Sequence, residues 1–419
     1  MEALHLADSW NRLQSRIFAD PIRLVLCLSF TVMTAISWPL WVETDRFPRL
    51  PFIPGLPNLG PIGSRFLFAS LLATSLLGIV NRLGLATSAA ILAWLIAGDQ
   101  NRFQPWAYQY ALIAFALVLL PKGRARSLAR LFIIALYFHS GVSKLDVSFC
   151  RETGPWMVGP IWERLGSGVD HAIAPGYYLV FPFAEIAIAI GLGFRRTRGV
   201  ALVSALAMHA ALLVFLGPLG RRQSGDLLIW NVAIMLEDCI LFRSNAFEVG
   251  PMEGGERLWE PWVRVLFVFA AVLPFGERFG VWDAWPSFAL YAGHVERTEI
   301  AIAPEAAGDL PIEARNALRR VGDDPWLRLD PTSWSRAVRG TPVYPSNRTS
   351  IGLAEAIASR IEHDSLVRAI AWGRADPFTG KRERREAIGL EQIRRLGNRF
   401  RWNARPEGAF VSKGRNHSA

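Results

Sequence analysis

Apolar residues fall in long blocks along this chain, not at the three-to-four-residue spacing of amphipathic surface helices. A helix needs about 20 mostly apolar residues to cross a bilayer. Nine blocks approach that length, at 23–41, 64–80, 84–98, 106–121, 128–145, 177–194, 199–216, 226–242 and 260–276. The pattern predicts an all-α polytopic membrane protein with about nine transmembrane helices across 23–280. The third and ninth blocks are short, and Arg264 snorkels from one end of the ninth. Residues 1–22 are polar to amphipathic and are expected on the inner membrane surface. From 281 to 419 the chain becomes polar and basic, which predicts a mixed α+β extramembrane region. There SFALY and VERTEIAIA, within 287–303, alternate like strands. The stretch SIGLAEAIASRIEHDSLVRAIAW (350–372) has helical spacing.

Composition strengthens the membrane reading. The chain is 51% hydrophobic and only 20% charged, below the usual quarter. Its net charge of +10 fits Arg-rich loops held at an anionic membrane surface, not a nucleic-acid partner. The most basic connections, KGRARSLAR (122–130) and RRTR (195–198), belong inside by the positive-inside rule. They put the N-terminus inside as well. The Pro-rich loop 46–61, the loop 99–106 and the long loop 146–176 fall outside, and through nine spans so does the tail. In the tail, basic residues outnumber acidic ones from Arg374 to Arg405, the pattern of a solvated helix face more often than of a lipid or partner site. Cys27, Cys150 and Cys239 form no CxxC pair, so neither a disulfide framework nor a metal site is expected. The triplet NRT at 347–349 fits a glycosylation acceptor, a pattern that is common by chance.

Polar residues inside the blocks share a depth. At ~1.5 Å per residue, Glu185 lies roughly 12 Å from the outer end of its span and His139 roughly 10 Å. His209, on a span running the other way, lies at the depth of Glu185 and is an available partner for it. Trp230 and Asn231 are near the outer end, as are Trp106, Tyr108, Gln109 and Tyr110, while Asp99, Arg102, Gln104 and Lys144 sit at the rim. The inner halves hold mainly Ala, Ile, Leu and Val, the exceptions of note being Glu237 and Asp238. This predicts a polar pocket, open outward and lined by spans three to eight. A lone Glu or His in a span is as often a helix–helix hydrogen bond, and rim aromatics can be an interfacial belt. In YFHSGVSKLD, the residues Tyr137, Ser140 and Lys144 share one helix face, with His139, Ser143 and Asp146 on the next. Gly141 admits a close helix neighbour. Lys144 is a candidate base at a partly dry site, or a snorkelling interfacial lysine.

The stretches DQNRFQPWAYQY, YFHSGVSKLD, HAALLVFLGPLG with LIWN, and WPSFALYAGHVERTEI resemble two related groups. One is the bacterial DoxX/MauE-like, redox-associated membrane proteins. The other is the horizontally transferred transmembrane domain of vitamin K-dependent gamma-carboxylases. The resemblance covers roughly residues 20–300. It implies membrane redox chemistry beside a quinone or hydroquinone in a bacterial inner membrane; no metal is expected, and the topology read from the basic loops puts the N-terminus in the cytoplasm and the C-terminal region in the periplasm. It also implies that Lys144 matches a lysine base of the carboxylases. This chain has QPWAYQY where carboxylases are rich in Asn and His, and it lacks the CxxC of thiol-active relatives. The resulting expectation is proton handling by Lys144, His139, Glu185 and His209. Trp106, Tyr108, Trp230, Asn231, Gln104, Arg102 and Asp99 would hold a quinone-like or lipid ligand. The expected partners are the bilayer and a redox protein. A carboxylase-like enzyme and a non-enzymatic anchor presenting the tail are the alternatives.

Overall fold

The apolar blocks of the first two-thirds of the chain fold as helices because nothing in them breaks one: proline and glycine gather at their ends. The computed structural model describes residues 20–164, 175–243 and 258–407, with 14, 15, 17, 18 and 166. Most of the surface segment expected at 1–22 lies outside these residues. Among the described residues up to 272, the α-helices longer than four residues are α1 Pro21–Ile36, α2 Gly60–Gly78, α3 Arg82–Gly98, α4 Pro105–Leu119, α5 Lys122–Val142, α6 Gly154–Arg164, α7 Val180–Gly193, α8 Arg198–Leu216, α9 Gly225–Phe242 and α10 Glu260–Val272.

Among the described residues, three helical stretches are long and apolar enough to cross a membrane: Gly60–Gly78, Pro175–Gly193 and Arg198–Leu216, with mean hydropathies of 1.3, 1.5 and 2.3. Three more apolar helices, α1, α3 and α4, are shorter. The expected nine spans are not supported. The physical reasons differ: α5 opens with the charged KGRAR, α9 carries Asp226, Glu237 and Asp238, and α10 has 13 residues. The supposed long loop 146–176 contains the amphipathic helix α6. The chain divides into one unit of 1–36, 69–92 and 105–293, and a second of 37–68, 93–104 and 294–419.

In the first unit α5 lies along α7, α1 along α9, and α8 against both α7 and α9. Small residues set these approaches. A Cβ at Gly141 of α5 would come within 2.7 Å of the Pro182 carbonyl oxygen on α7. The end of α5 is closed from outside, where Arg278 donates to the carbonyls of Val142 (2.8 Å) and Leu145 (3.2 Å). The stretch SFALY, expected as a strand, is a run of turns in which Phe288 (φ 56°) and Tyr291 (φ 58°) are left-handed. Bulky side chains hold that conformation only where packing enforces it, and Phe288 is fully buried.

The second unit is built on an antiparallel sheet of β1 Arg297–Ile302, β2 Leu318–Arg320, β3 Leu327–Leu329, β4 Val367–Trp372 and β5 Arg384–Ile388, in the order β2-β3-β1-β4-β5. The central strand β1 pairs Ile300 with Ala369 and Ile302 with Val367, so one face is apolar and shallow. Helix α12 (Asn347–Ala358), rich in Gly and Ala, packs there, joined by α13 (Gly389–Gly397). Helix α11 (Pro331–Arg339) starts where Asp330 accepts from the Thr332 and Ser333 amides, and stops at left-handed Gly340 (φ 73°). The helical spacing read over 350–372 holds only to Ala358. The chain then leaves the sequence period of 3.6 for the period of 2, and VRAIAW becomes β4. The NRT asparagine is not a surface acceptor in this fold. Asn347 is 6% exposed, accepts from Thr298 Oγ1 (2.8 Å) and donates to the Trp372 carbonyl (3.0 Å). Several arginines of the basic run are held by neighbours within the unit, Arg394 by Glu355 (2.8 Å) and Arg384 by Glu386 (2.6 Å).

Trp334 of α11 has no exposed surface and packs on Phe47. Trp334→Ala is expected to cost about 3–5 kcal/mol, read as faster amide exchange across β1 and β4 in the full chain. Unchanged protection there would contradict this core.

Candidate functional site

Tyr137 and Ser140 in the last two turns of α5, and Lys144 two residues past its end, line a cavity of about 310 Å³ in the first unit. Its remaining wall comes from α6 to α9 and from Leu290 and Tyr291. Most of that wall is apolar, with Phe181, Leu212, Phe215 and Ile234 among its side chains. Sites for small organic molecules have this size and make-up, with a few convergent polar groups.

At one place the wall is charged. Lys144 is 3% exposed and Glu185 is 7% exposed, and they pair at 2.9 Å. The ammonium also donates to the Ser140 carbonyl (2.8 Å) and to Ser140 Oγ (2.7 Å), and its second contact with Glu185 is 3.2 Å. Burying two charges costs several kcal/mol each, offset only when both are hydrogen-bonded as here. The pairing exists because Gly141 brings α7 close enough for Glu185 to reach Lys144, just past the end of α5.

His209, Trp230 and Asn231 also line the cavity. His209 does not pair with Glu185. Its Nδ1 is 2.8 Å from Asn231 Oδ1 and its Nε2 is 2.8 Å from the Tyr137 hydroxyl. Tyr137 in turn lies 2.5 Å from Asp238 Oδ2. The Trp230 indole donates to Gln109 Oε1 (2.8 Å), and Gln109 donates to Glu237. Spans three and four, here α3 and α4, contribute no lining residue. The sequence passed over Tyr137 and Asp238 as site residues. One signal was available, since Asn231 and Asp238 are seven apart and share a face of α9.

Other candidates are elsewhere. His139 faces away, with Nε2 on the Ala271 carbonyl (2.7 Å) and its ring against Phe275. Trp106 donates to Asp226 (3.2 Å), and Tyr108 packs among Phe132 and Phe288. Asp99, Arg102 and Gln104 belong to the second unit. Arg102 donates to the carbonyls of Leu40 (3.1 Å) and Trp41 (3.2 Å), Asp99 accepts from Arg339 (2.7 Å), and Gln104 donates to the Asn101 carbonyl (2.8 Å). Burial pushes the Arg102 guanidinium down to about 10, against the pull of Asp99, so it stays charged at neutral pH. Burial likewise raises Glu43, opposed by Arg102 and Arg49. These groups bound a separate polar cleft of about 180 Å³. Cys27 and Cys239 lie on the packed helices α1 and α9, and both thiols are free. Among the described residues no group of three or more His, Cys, Asp or Glu could hold a metal.

The chain matches no known protein family, no curated protein and no solved structure.

Removing one partner of the buried pair strands the other's charge. Glu185→Ala is expected to destabilise by about 3–5 kcal/mol, and Lys144→Met with Glu185→Leu by far less. Thermal unfolding of the purified single and double variants checks this. Equal losses would mean the pair does not form.

Proposed function

We propose that this chain is a multi-pass bacterial inner-membrane protein whose α5–α9 cavity holds a flat amphipathic ligand of quinone-like chemistry. The observation that carries the reading is the contrast within one cavity, an apolar wall broken by the Lys144–Glu185 pair and by Tyr137, His209 and Asn231. An apolar ring and tail would lie along Phe181, Leu212 and Ile234, with oxygens directed at the polar side. Trp230 offers an aromatic edge beside them. Tyr291 adds support: it lines the cavity in a left-handed conformation, and such strained residues gather at ligand sites. The resemblance to DoxX/MauE-like and carboxylase-type domains points the same way, towards redox chemistry with a redox protein as partner. In this reading the basic segments 122–130 and 195–198 and the N-terminus face the cytoplasm, and the C-terminal region is periplasmic.

Lys144 as a carboxylase-like base fits less well. A base needs a free lone pair, whereas this ammonium is held by four acceptor contacts. Lys144 serves better as the fixed counter-charge that holds Glu185 in place at the polar end of the cavity.

The test is mass spectrometry of small molecules extracted from the full chain purified in mild detergent. Wild type should retain a quinone or a defined amphipathic lipid. Ala211→Trp, which fills the cavity from α8, should lose it, and Lys144→Ala should weaken it by about tenfold or more. Wild type and Ala211→Trp carrying the same molecules would overturn the proposal.

A further inference from the structure

The hydrogen bonds behind the cavity wall do not close without a choice. Asn231 Nδ2 donates to the Leu227 carbonyl (2.9 Å), so Asn231 turns its oxygen towards His209. His209 Nδ1 must therefore carry a hydrogen. Its Nε2 faces the Tyr137 hydroxyl at 2.8 Å, and that hydroxyl faces Asp238 Oδ2 at 2.5 Å. Tyr137 has one hydrogen for two neighbours.

Only two arrangements satisfy this chain. In the first, Asp238 is a neutral acid whose O–H donates to Tyr137, Tyr137 donates to Nε2, and the imidazole is neutral. In the second, Tyr137 donates to an Asp238 carboxylate, Nε2–H donates to Tyr137, and the ring is an imidazolium. They differ by a concerted move of two protons over one hydrogen bond each. The Oδ2–H bond breaks as a new Oη–H bond forms, and the old Oη–H bond breaks as Nε2–H forms. No electron moves and no water takes part, and charge passes from Asp238 to His209.

We propose that His209, Tyr137 and Asp238 form a proton relay that sets the charge of the cavity wall, so that the cavity selects a ligand with an anionic headgroup. Asp238 has no exposed surface, and its Oδ1 is buried with no hydrogen-bond partner. An ionised carboxylate so placed is costly in a dry interior, all the more beside Glu237, so the neutral arrangement is the resting one. Lys144 and Glu185 cancel each other at the wall. An arriving anion finds no net positive charge until the relay supplies one at His209. His209 and Tyr137 line the cavity and Asp238 does not, so the negative charge left behind is one residue further from the ligand. The selection of headgroup rests on the cavity being the ligand site; the relay rests on the hydrogen bonds alone.

The experiment uses the full chain in nanodiscs with 15N-labelled histidine, His209 being assigned by loss of its signals in His209→Gln. The probes are a decyl hydroxynaphthoquinone, an anion at neutral pH, and its uncharged methoxy counterpart. Without probe, His209 should show a protonated Nδ1 and a bare Nε2. With the anionic probe both nitrogens should be protonated in wild type but not in Asp238→Asn or Tyr137→Phe. Wild type should prefer the anion by about tenfold, and both variants should lose that preference. The ring signals in the variants also show whether the site has kept its structure. A His209 that stays neutral with the anion bound, or is doubly protonated in Asp238→Asn, would overturn the relay. A normal relay with no preference between the probes would overturn the headgroup selection. Failure of both probes to bind would overturn the ligand site instead, and the resting ring signals would still have to show a bare Nε2 for the relay to stand.

Discussion

A charged lysine can be held in an apolar helix bundle only if something neutralises it on the spot. Glu185 does so here, and everything at the polar end of the cavity is arranged around that demand. The two helices must touch, which requires a residue without a side chain at the crossing, and Gly141 provides it. The ammonium must find further acceptors, and Ser140 supplies two from the preceding turn. The end of α5 must not fray, and Arg278 holds its terminal carbonyls. With these conditions met, the helices beyond the contact can line an open volume instead of collapsing onto a stranded charge.

The same reasoning explains what could be read from the chain and what could not. The helical character of the first two-thirds was legible because long apolar blocks admit few alternatives. The count of spans was not, because a block length does not separate a membrane span from a helix buried in protein: α9 is apolar on average yet holds three acids at buried positions. The site was partly legible. Lys144, Glu185, His209, Trp230 and Asn231 do line one cavity, and each stands out as a polar or aromatic residue in an apolar run. Their pairing was not, since depth along a helix says nothing of rotation about its axis. His209 has the depth of Glu185 but faces Tyr137. His139 and Tyr108 have suitable depth too, and rotation turns both elsewhere. In the tail, β1 was visible as alternation, whereas β4 was hidden because its alanines continue the small-residue rhythm of α12.

Both units hold buried charge with two devices, ion pairs and backbone carbonyls. In the first, Lys144 and Glu185 neutralise one another, while Arg198, Arg130 and Arg278 donate to backbone carbonyls. In the second, arginines are abundant; most pair with acids, as Arg339 does with Asp99 and Arg394 with Glu355, and a few, such as Arg102 on Leu40 and Trp41, donate to backbone carbonyls. Five donors in a rigid fork can satisfy several carbonyls at once, which suits loops that lack a regular hydrogen-bonding ladder. A basic composition that looks like an electrostatic signal is here, to a good extent, structural mortar.

Asn347 carries a last consequence. Its amide is stitched between Thr298 and Trp372 at the point where the helix α12 meets the sheet. A sugar chain on that nitrogen and a closed second unit are mutually exclusive. If a transferase reached the NRT triplet before the chain folded, the glycan would act as a wedge that keeps α12 off β1. Folding and modification at this triplet thus exclude one another: the folded chain keeps the Asn347 amide out of reach.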